Sequence, residues 1–570
     1  FTRTCTCTRA LHGQLELLAL LSAQFRAPAH NCTMVTRRVI AIPRAPSTWE
    51  RRVPLVPDSV RALVAQGNRV LVNPSSSRAF TDAEYEVAGA EITESMDDAN
   101  LVLTVGSPEP GTLLEGKTYA TFSHLHKAQP HSMPLLDEAR AKRVRLLDYE
   151  LITEGGKRGG RRLVSFAEAG GRVGMMNIFA GLGSHLLSRG FATPFLNAPQ
   201  AWMLDSLWEA REAVWKLGER IRRTGLPPPV GPLVFVFMGD GAVSRGARDI
   251  FSLLPHRFVE PAELPALHDG KLCGDDLTRT LYACVVRPED VLQPLAGRGS
   301  FDRAAYRAAP STHSCSFGTA IAPYGTVLVN ALSWDARYPR WLTRVQHQQI
   351  CSARAARDAA GCHTSRLMAV ADISCDLHGA IEATCRLSTS SAPFYSVDAL
   401  GAAGLTAGRD TGTDTDIDAA AAMAGAHNAI DGERTTIMAV PNLAAQLPRE
   451  ASEDFAAQLL PFVPAMLDIA TSDAAALPES PALVASCVTD ADGALTPAFK
   501  YVEQARAPAS RASAGVQGGD VCLRIALSGH LFDSGLINQV LDELETVGVG
   551  FDIEGGFSVN EQGADTPTTS

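Results

Sequence analysis

Three stretches hold side chains able to do chemistry. The first is "FSHLHKAQ", which sets His124, His126 and Lys127 just past a short apolar run. A histidine titrates near neutral pH and can move protons on and off an amine. Taken by itself, the stretch reads better as a polar loop after a buried strand. The second is "LVFVFMGDGAVSRGARDIF", where an apolar run leads into Gly239-x-Gly241, then Ser244, Arg245, Gly246 and a helix-like piece with Ile250 and Phe251. Glycines at such a turn let the backbone approach a pyrophosphate, which rests on the helix N-terminus. The strand-to-helix setting favours dinucleotide binding over an ordinary tight turn. Glu260 ends the next apolar run, about 20 residues on, where an acid suits a ribose 2′-hydroxyl and hence NAD. Arg245 would instead suit a 2′-phosphate, and the sequence leaves that choice open. The third is "TWERRVPLVP", with Glu50, Arg51 and Arg52. A guanidinium at a strand–helix junction can bind a substrate carboxylate through two bonds, although alone these charges read as a solvated loop. Glu150, Asp372 and Asp376 also stand at or just beyond expected strand ends, and "GGRRLVSF" supplies Arg161 and Arg162.

The elements that must position these residues alternate. "VIAI" (39–42), "RVLV" (69–72), "LVLTV" (101–105), "YATF" (119–122) and "RLLDY" (145–149) read as strands, with helical pieces such as "PDSVRALVAQG" between them. A helical region follows near 170–223, in which Leu204, Leu207, Trp208 and Trp215 fall on one face and read as a core stripe. "GLPPPVGP" breaks the chain before a second series: "LVFVF" (233–237), "RFVE" (257–260), "LYACVV" (281–286), "GTVLVNAL" (325–332) and "LMAVADI" (367–373). Strands alternating with helices predict an α/β class with mainly parallel sheets.

The 570 residues carry a formal net charge of −11 and 46% hydrophobic residues, enough apolar material for packed cores. An acidic chain without a basic stripe does not suit nucleic-acid binding, and no apolar run reaches the ~18 residues of a membrane span. The 12 cysteines are scattered without a C-x-x-C, neither a disulfide framework nor a zinc module, so no metal site is expected. Residues 1–36 read as a disordered, targeting or upstream segment and 399–432 as a low-complexity insertion. Residues 520–555 read as a small α/β connector, and 556–570 as a disordered tail.

Together, "WERRVPLVP", "KTYATFSHLHKAQ", "RLLDYELIT", "GPLVFVFMGDGAVSRGA", "FVEPAEL", "IAPYGTVLVNALSW", "PRWLTR", "VADISCD" and "NLAAQLPREAS" resemble lysine–ketoglutarate reductase. That enzyme, also called saccharopine dehydrogenase (lysine-forming), is the first half of bifunctional aminoadipic semialdehyde synthases, in the alanine dehydrogenase/transhydrogenase-like group. The resemblance implies two Rossmann-like domains facing across a cleft, one of 37–168 with 377–506 that takes the substrate and one of 169–376 that binds the dinucleotide. It implies reductive condensation of L-lysine with 2-oxoglutarate, using NADPH, with NAD as the alternative. His124 matches the acid–base histidine, and Lys127 lies in the same motif. Arg52, Glu150 and Arg162 match substrate-binding positions; Gly239, Gly241, Ser244 and Gly246 match the cofactor loop; Asn330 and Asp376 match the nicotinamide side. Plant relatives suggest the cytosol and animal relatives the mitochondrion. A homo-oligomer, and a glutamate-forming saccharopine dehydrogenase half in a longer chain, fit the same family. One departure stands out: Gly106 occupies the position of the family's catalytic lysine. It raises two alternatives, a catalytically impaired dinucleotide-binding regulator and an alanine dehydrogenase-like oxidoreductase.

Overall fold

A computed structural model describes residues 38–506, except 48, 130–131, 158, 269–275, 296–300, 360–366, 398–433 and 472–479. The expected leader (1–36), low-complexity insertion, connector (520–555) and tail lie outside the described residues. Two seven-stranded sheets organise the chain, both within the larger of its two units, which ends at Arg506.

The first sheet holds β1 (Val39–Ile42), β2 (Arg69–Val72), β3 (Glu91–Ile92), β4 (Leu101–Leu103), β5 (Thr118–Thr121) and β6 (Arg145–Asp148). Its order is β16-β6-β5-β4-β1-β2-β3, where β16 (Cys487–Thr489) runs antiparallel on β6 and the rest are parallel. Successive residues alternate between its two faces, as strand geometry requires: Ile40, Ile42, Leu101 and Leu103 pack on one side, Val39, Ala41 and Val102 on the other. Helix α1 (Pro57–Ala65) starts on a proline and gives way to Gly67 at φ +87°, a left-handed stop that glycine adopts readily.

The second sheet holds β7 (Val234–Met238), β8 (His256–Phe258), β9 (Leu281–Val286), β12 (Val327–Asn330), β13 (Ala369–Asp372), β14 (Tyr395–Val397) and β15 (Thr435–Met438). Strands β10 (Leu292–Pro294) and β11 (His313–Cys315) form a separate small ladder. The order is β14-β15-β13-β12-β7-β9-β8, with β14 antiparallel. Two expectations change here. The chain does not return to the first domain at 377, because β14 and β15 extend the second sheet and bury Tyr395, Val397 and Ile437 in its core. And β8, the next strand in sequence after β7, is an edge strand, with β9 inserted between them.

Helix α2 (Ala167–Ser188) packs across α4 (Ala242–Phe251) so closely that only glycine fits at the crossing. A Cβ on Gly246 would stand 2.0 Å from the Glu168 carbonyl, and one on Gly171 2.0 Å from that of Val243. The expected Trp stripe also proves different. Helix α3 (Leu207–Thr224) buries Ala210, Val214, Leu217, Gly218 and Ile221, and leaves Trp208 73% and Trp215 50% exposed. Gly218 explains the choice of face: its missing Cβ would lie 2.8 Å from the Leu253 carbonyl, a close approach that bulky indoles would prevent. Among the described residues no helix is long and apolar enough to cross a membrane.

Candidate active site

The turn after β5 sets the histidines. His124 adopts a left-handed backbone, φ +54°, a conformation that costs a non-glycine residue about 1–3 kcal/mol. The fully buried Asp148, at the end of β6, holds it there by accepting from the His124 N–H at 2.9 Å and the Ser123 hydroxyl at 2.6 Å. The other oxygen of Asp148 accepts from the Glu150 N–H at 2.9 Å. One carboxylate at a strand end therefore fixes both loops, and it went unremarked in the sequence although "RLLDYE" displays it two residues before Glu150.

Glu150 is the hub. Its buried carboxylate lies 2.9 Å from His124 Nδ1 and 3.2 Å from Lys127 Nζ, and it pairs with Arg162. Burial pushes its carboxyl up, but the His124 hydrogen bond and the charges of Arg162, Lys127 and His126 outweigh burial and hold it well below the usual carboxylate range. An ionised carboxylate only accepts, so His124 Nδ1 carries a proton toward Glu150 and Nε2 is the ring nitrogen left for other chemistry. Half-exposed Lys127 and His124 border open space. His126 packs behind, its carbonyl accepting from the Tyr501 hydroxyl at 2.5 Å. His126, Asp148 and Glu150 could offer ligand atoms within 4.8 Å of one another. The cations already gathered on Glu150 and the bonds already made to Asp148 do not suit a metal ion.

Arg52 is buried against the aromatic face of Phe166, its guanidinium carbon 4.2 Å from the ring centre. Glu50 takes its Nε at 2.8 Å and Nη2 at 2.5 Å. Arg161 pairs on the surface with Glu154. Gly106, beyond β4, accepts the Thr104 and Thr121 hydroxyls on its carbonyl at 2.9 and 2.8 Å, and a Cβ added there would meet nothing within 4 Å.

The glycine turn stands at the carboxyl end of β7. Gly239 has φ +91°, reserved in practice for glycine, while Gly241 caps α4 and faces open space where a Cβ would point. Ser244 Oγ is buried without a hydrogen-bond partner. Open approach, a helix N-terminus and an orphaned hydroxyl fit a dinucleotide pyrophosphate. Other expected cofactor residues are placed differently. Gly246 serves the helix crossing. Arg245 lies in α4 and is bound to Glu168 at 2.8 Å, so it is not free in the loop. Glu260 caps its own turn, Pro261–Glu263, beyond the edge strand, a full strand away from the glycine turn.

Asn330, at the end of β12, donates to Asp372 Oδ1 at 2.9 Å, and Asp372 Oδ2 accepts from Thr384 at 2.6 Å. Burial raises the Asp372 carboxyl to about 6, against these bonds. Both residues therefore brace strand ends and do not point outward. Asp376 is reached by charges of the first sheet's loops: burial and the charge of Asp372 raise it to about 6, Lys127 opposes the rise, and Asp335 and Glu150 add to it. The strand ends after β5, β6 and β13 thus come near enough for their charges to act on one another.

Residues 41–169 match the family model for the alanine dehydrogenase/PNT N-terminal domain. An alpha-aminoadipic semialdehyde synthase of Arabidopsis thaliana is 34% identical over 522 residues, 88% of this chain and 45% of that one. The Mus musculus protein, named alpha-aminoadipic semialdehyde synthase, mitochondrial, is 34% identical over 504 residues, 87% of this chain and 50% of its own. A solved L-alanine dehydrogenase is 18% identical with a TM-score of 0.48, over 82% of this chain and 100% of that one. The chain spans about half the length of the curated relatives it matches. Along most of its length it is similar to about half of the alpha-aminoadipic semialdehyde synthases, and residues 41–169 are similar to the alanine dehydrogenase/PNT N-terminal domain.

Proposed function

We propose that this chain is a lysine–ketoglutarate reductase that joins the ε-amine of L-lysine to 2-oxoglutarate and reduces the resulting imine to saccharopine, a first step of lysine degradation. The observation that carries the reading is the His124–Glu150–Lys127 cluster, whose charges act on Asp376, in a chain similar to half of a semialdehyde synthase. NADPH, with NADH as the alternative, would rest on Gly239, Gly241 and the α4 N-terminus, and when bound it supplies the hydride. His124 Nε2 takes a proton from the amine as it adds to the keto carbon, then returns one to the hydroxyl that leaves as water. Glu150 fixes the ring for both transfers. Arg52 Nη1 and Arg162 clamp substrate carboxylates, which converts the condensation into a reaction between held partners. Lys127 sets positive charge beside the keto acid. The reading carries small-molecule substrates, a homo-oligomer and a glutamate-forming saccharopine dehydrogenase half in a longer chain. Of the two compartments, the name of the mouse relative supports the mitochondrial one over the cytoplasmic.

The test is lysine-dependent oxidation of NADPH in the presence of 2-oxoglutarate by folded protein; none at any pH from acid to alkaline overturns the enzyme reading. Gly106 favours a second reading, an impaired regulatory homologue. The open space at its Cβ position makes Gly106→Lys a clean discriminator. A rise in rate of several orders of magnitude identifies a crippled site, whereas little change shows that His124 and Lys127 suffice. Turnover of pyruvate with ammonia would instead favour the alanine dehydrogenase-like alternative.

A further inference from the structure

The strand order of the second sheet changes which residue stands beside the glycine turn. In a doubly wound sheet the adenosine ribose is read from the carboxyl end of the strand adjacent to the one that carries the turn. Here that neighbour is β9. The Gly239 N–H donates to the carbonyl of Val286, the last residue of β9, at 2.8 Å, so the following residue, Arg287, flanks the turn. Its backbone is pinned by its N–H donating to Asp290 at 2.7 Å. Its half-exposed guanidinium has Nε 3.6 Å from Asp240, inside the turn. Arg248 comes to the same place from α4, its Nε donating to the Ser244 carbonyl at 3.3 Å. Burial lowers Arg248 from its ordinary value; Asp240 opposes this, and Arg245 and Arg287 add to it as like charges. With Arg245 engaged by Glu168, the guanidiniums of Arg248 and Arg287 flank Asp240 beside a helix N-terminus, while Asp290 is turned to the Arg287 N–H and Glu289 to Arg303.

We propose that Arg287 receives the 2′-phosphate of NADPH, with Arg248 beside it, and so selects NADPH over NADH. The proposal rests on the dinucleotide reading of the glycine turn and deepens it. A guanidinium fork matches phosphate oxygens, and leaving a half-exposed partner such as Asp240 costs little. The ribose hydroxyls of NADH offer this arginine no charge to meet.

Binding of NADPH and of NADH to the full chain, measured by calorimetry without substrates, tests this independently of turnover. The wild type is expected to prefer NADPH. Arg287→Ala is expected to weaken NADPH about 10- to 100-fold, the range for lost charge-assisted hydrogen bonds, and to leave NADH unchanged; Arg287→Lys recovers part of the preference. Undiminished NADPH affinity in Arg287→Ala, equal losses for both nucleotides, or a wild type that prefers NADH overturns the proposal while the glycine turn keeps its role. A wild type that binds neither nucleotide removes the dinucleotide reading itself.

Discussion

Replacing Glu150 with glutamine removes the charge at the centre of the cluster while preserving its shape. The ionised carboxylate accepts from His124 Nδ1 at 2.9 Å and so leaves Nε2 as the nitrogen that takes the proton in the proposed reaction. An amide in its place can turn its NH₂ to Nδ1, which moves the ring proton to Nε2, where a base must be empty. The loss is that of one positioned acid–base group, about 10²- to 10⁴-fold in kcat/KM. The accompanying ion pairs contribute less: Lys127 and Arg162 are 41% and 48% exposed, and such pairs are worth up to about 1 kcal/mol. Activity should therefore fall far more than thermal stability. The stability contribution of Glu150 also has a sign in pH. Its carboxyl is held below its ordinary 4.5, so the contribution is present above that pH and is lost as the pH falls below it; Glu150→Gln abolishes this acid-side dependence. Steady-state kinetics against pH, with ¹⁵N shifts of the His124 ring, make the check. Unchanged kcat/KM together with an unchanged ring tautomer would refute the hub role.

Two further outcomes concern the scaffold. Gly246→Ala places a Cβ 2.0 Å from the Glu168 carbonyl, forces α2 and α4 apart, and should cost about 1–3 kcal/mol in denaturant unfolding, while Gly241→Ala, which meets nothing within 4 Å, should leave stability nearly intact. Asp372, raised by burial from 3.8 to about 6, makes the fold more stable when protonated. The wild type should lose stability as pH rises from about 4 through about 6 relative to Asp372→Asn, and melting curves across that interval that run parallel would show that Asp372 does not titrate there.

By itself the sequence determined the periodic parts of this protein. β-Strands such as Val39–Ile42 and Leu281–Val286 are continuous apolar runs, because a parallel sheet covered on both faces demands them, and the glycine turn announced itself by standing between such a run and a helix. His124 and Glu150 were legible as polar residues at strand ends, and Arg162 only through the family resemblance. Their convergence was not, since it depends on the neighbouring positions of β5 and β6 and on Asp148, a buried carboxylate whose bonds span 25 residues. Tertiary packing alone decided the rest. Two interleaved apolar stripes compete along Leu207–Thr224, and the close approach at Gly218 buried the small one and exposed Trp208 and Trp215. The order of β8 and β9 is a matter of lateral pairing, to which local pattern is blind. Insertion of β9 beside β7 carried Glu260 away from the glycine turn and brought Arg287 to it.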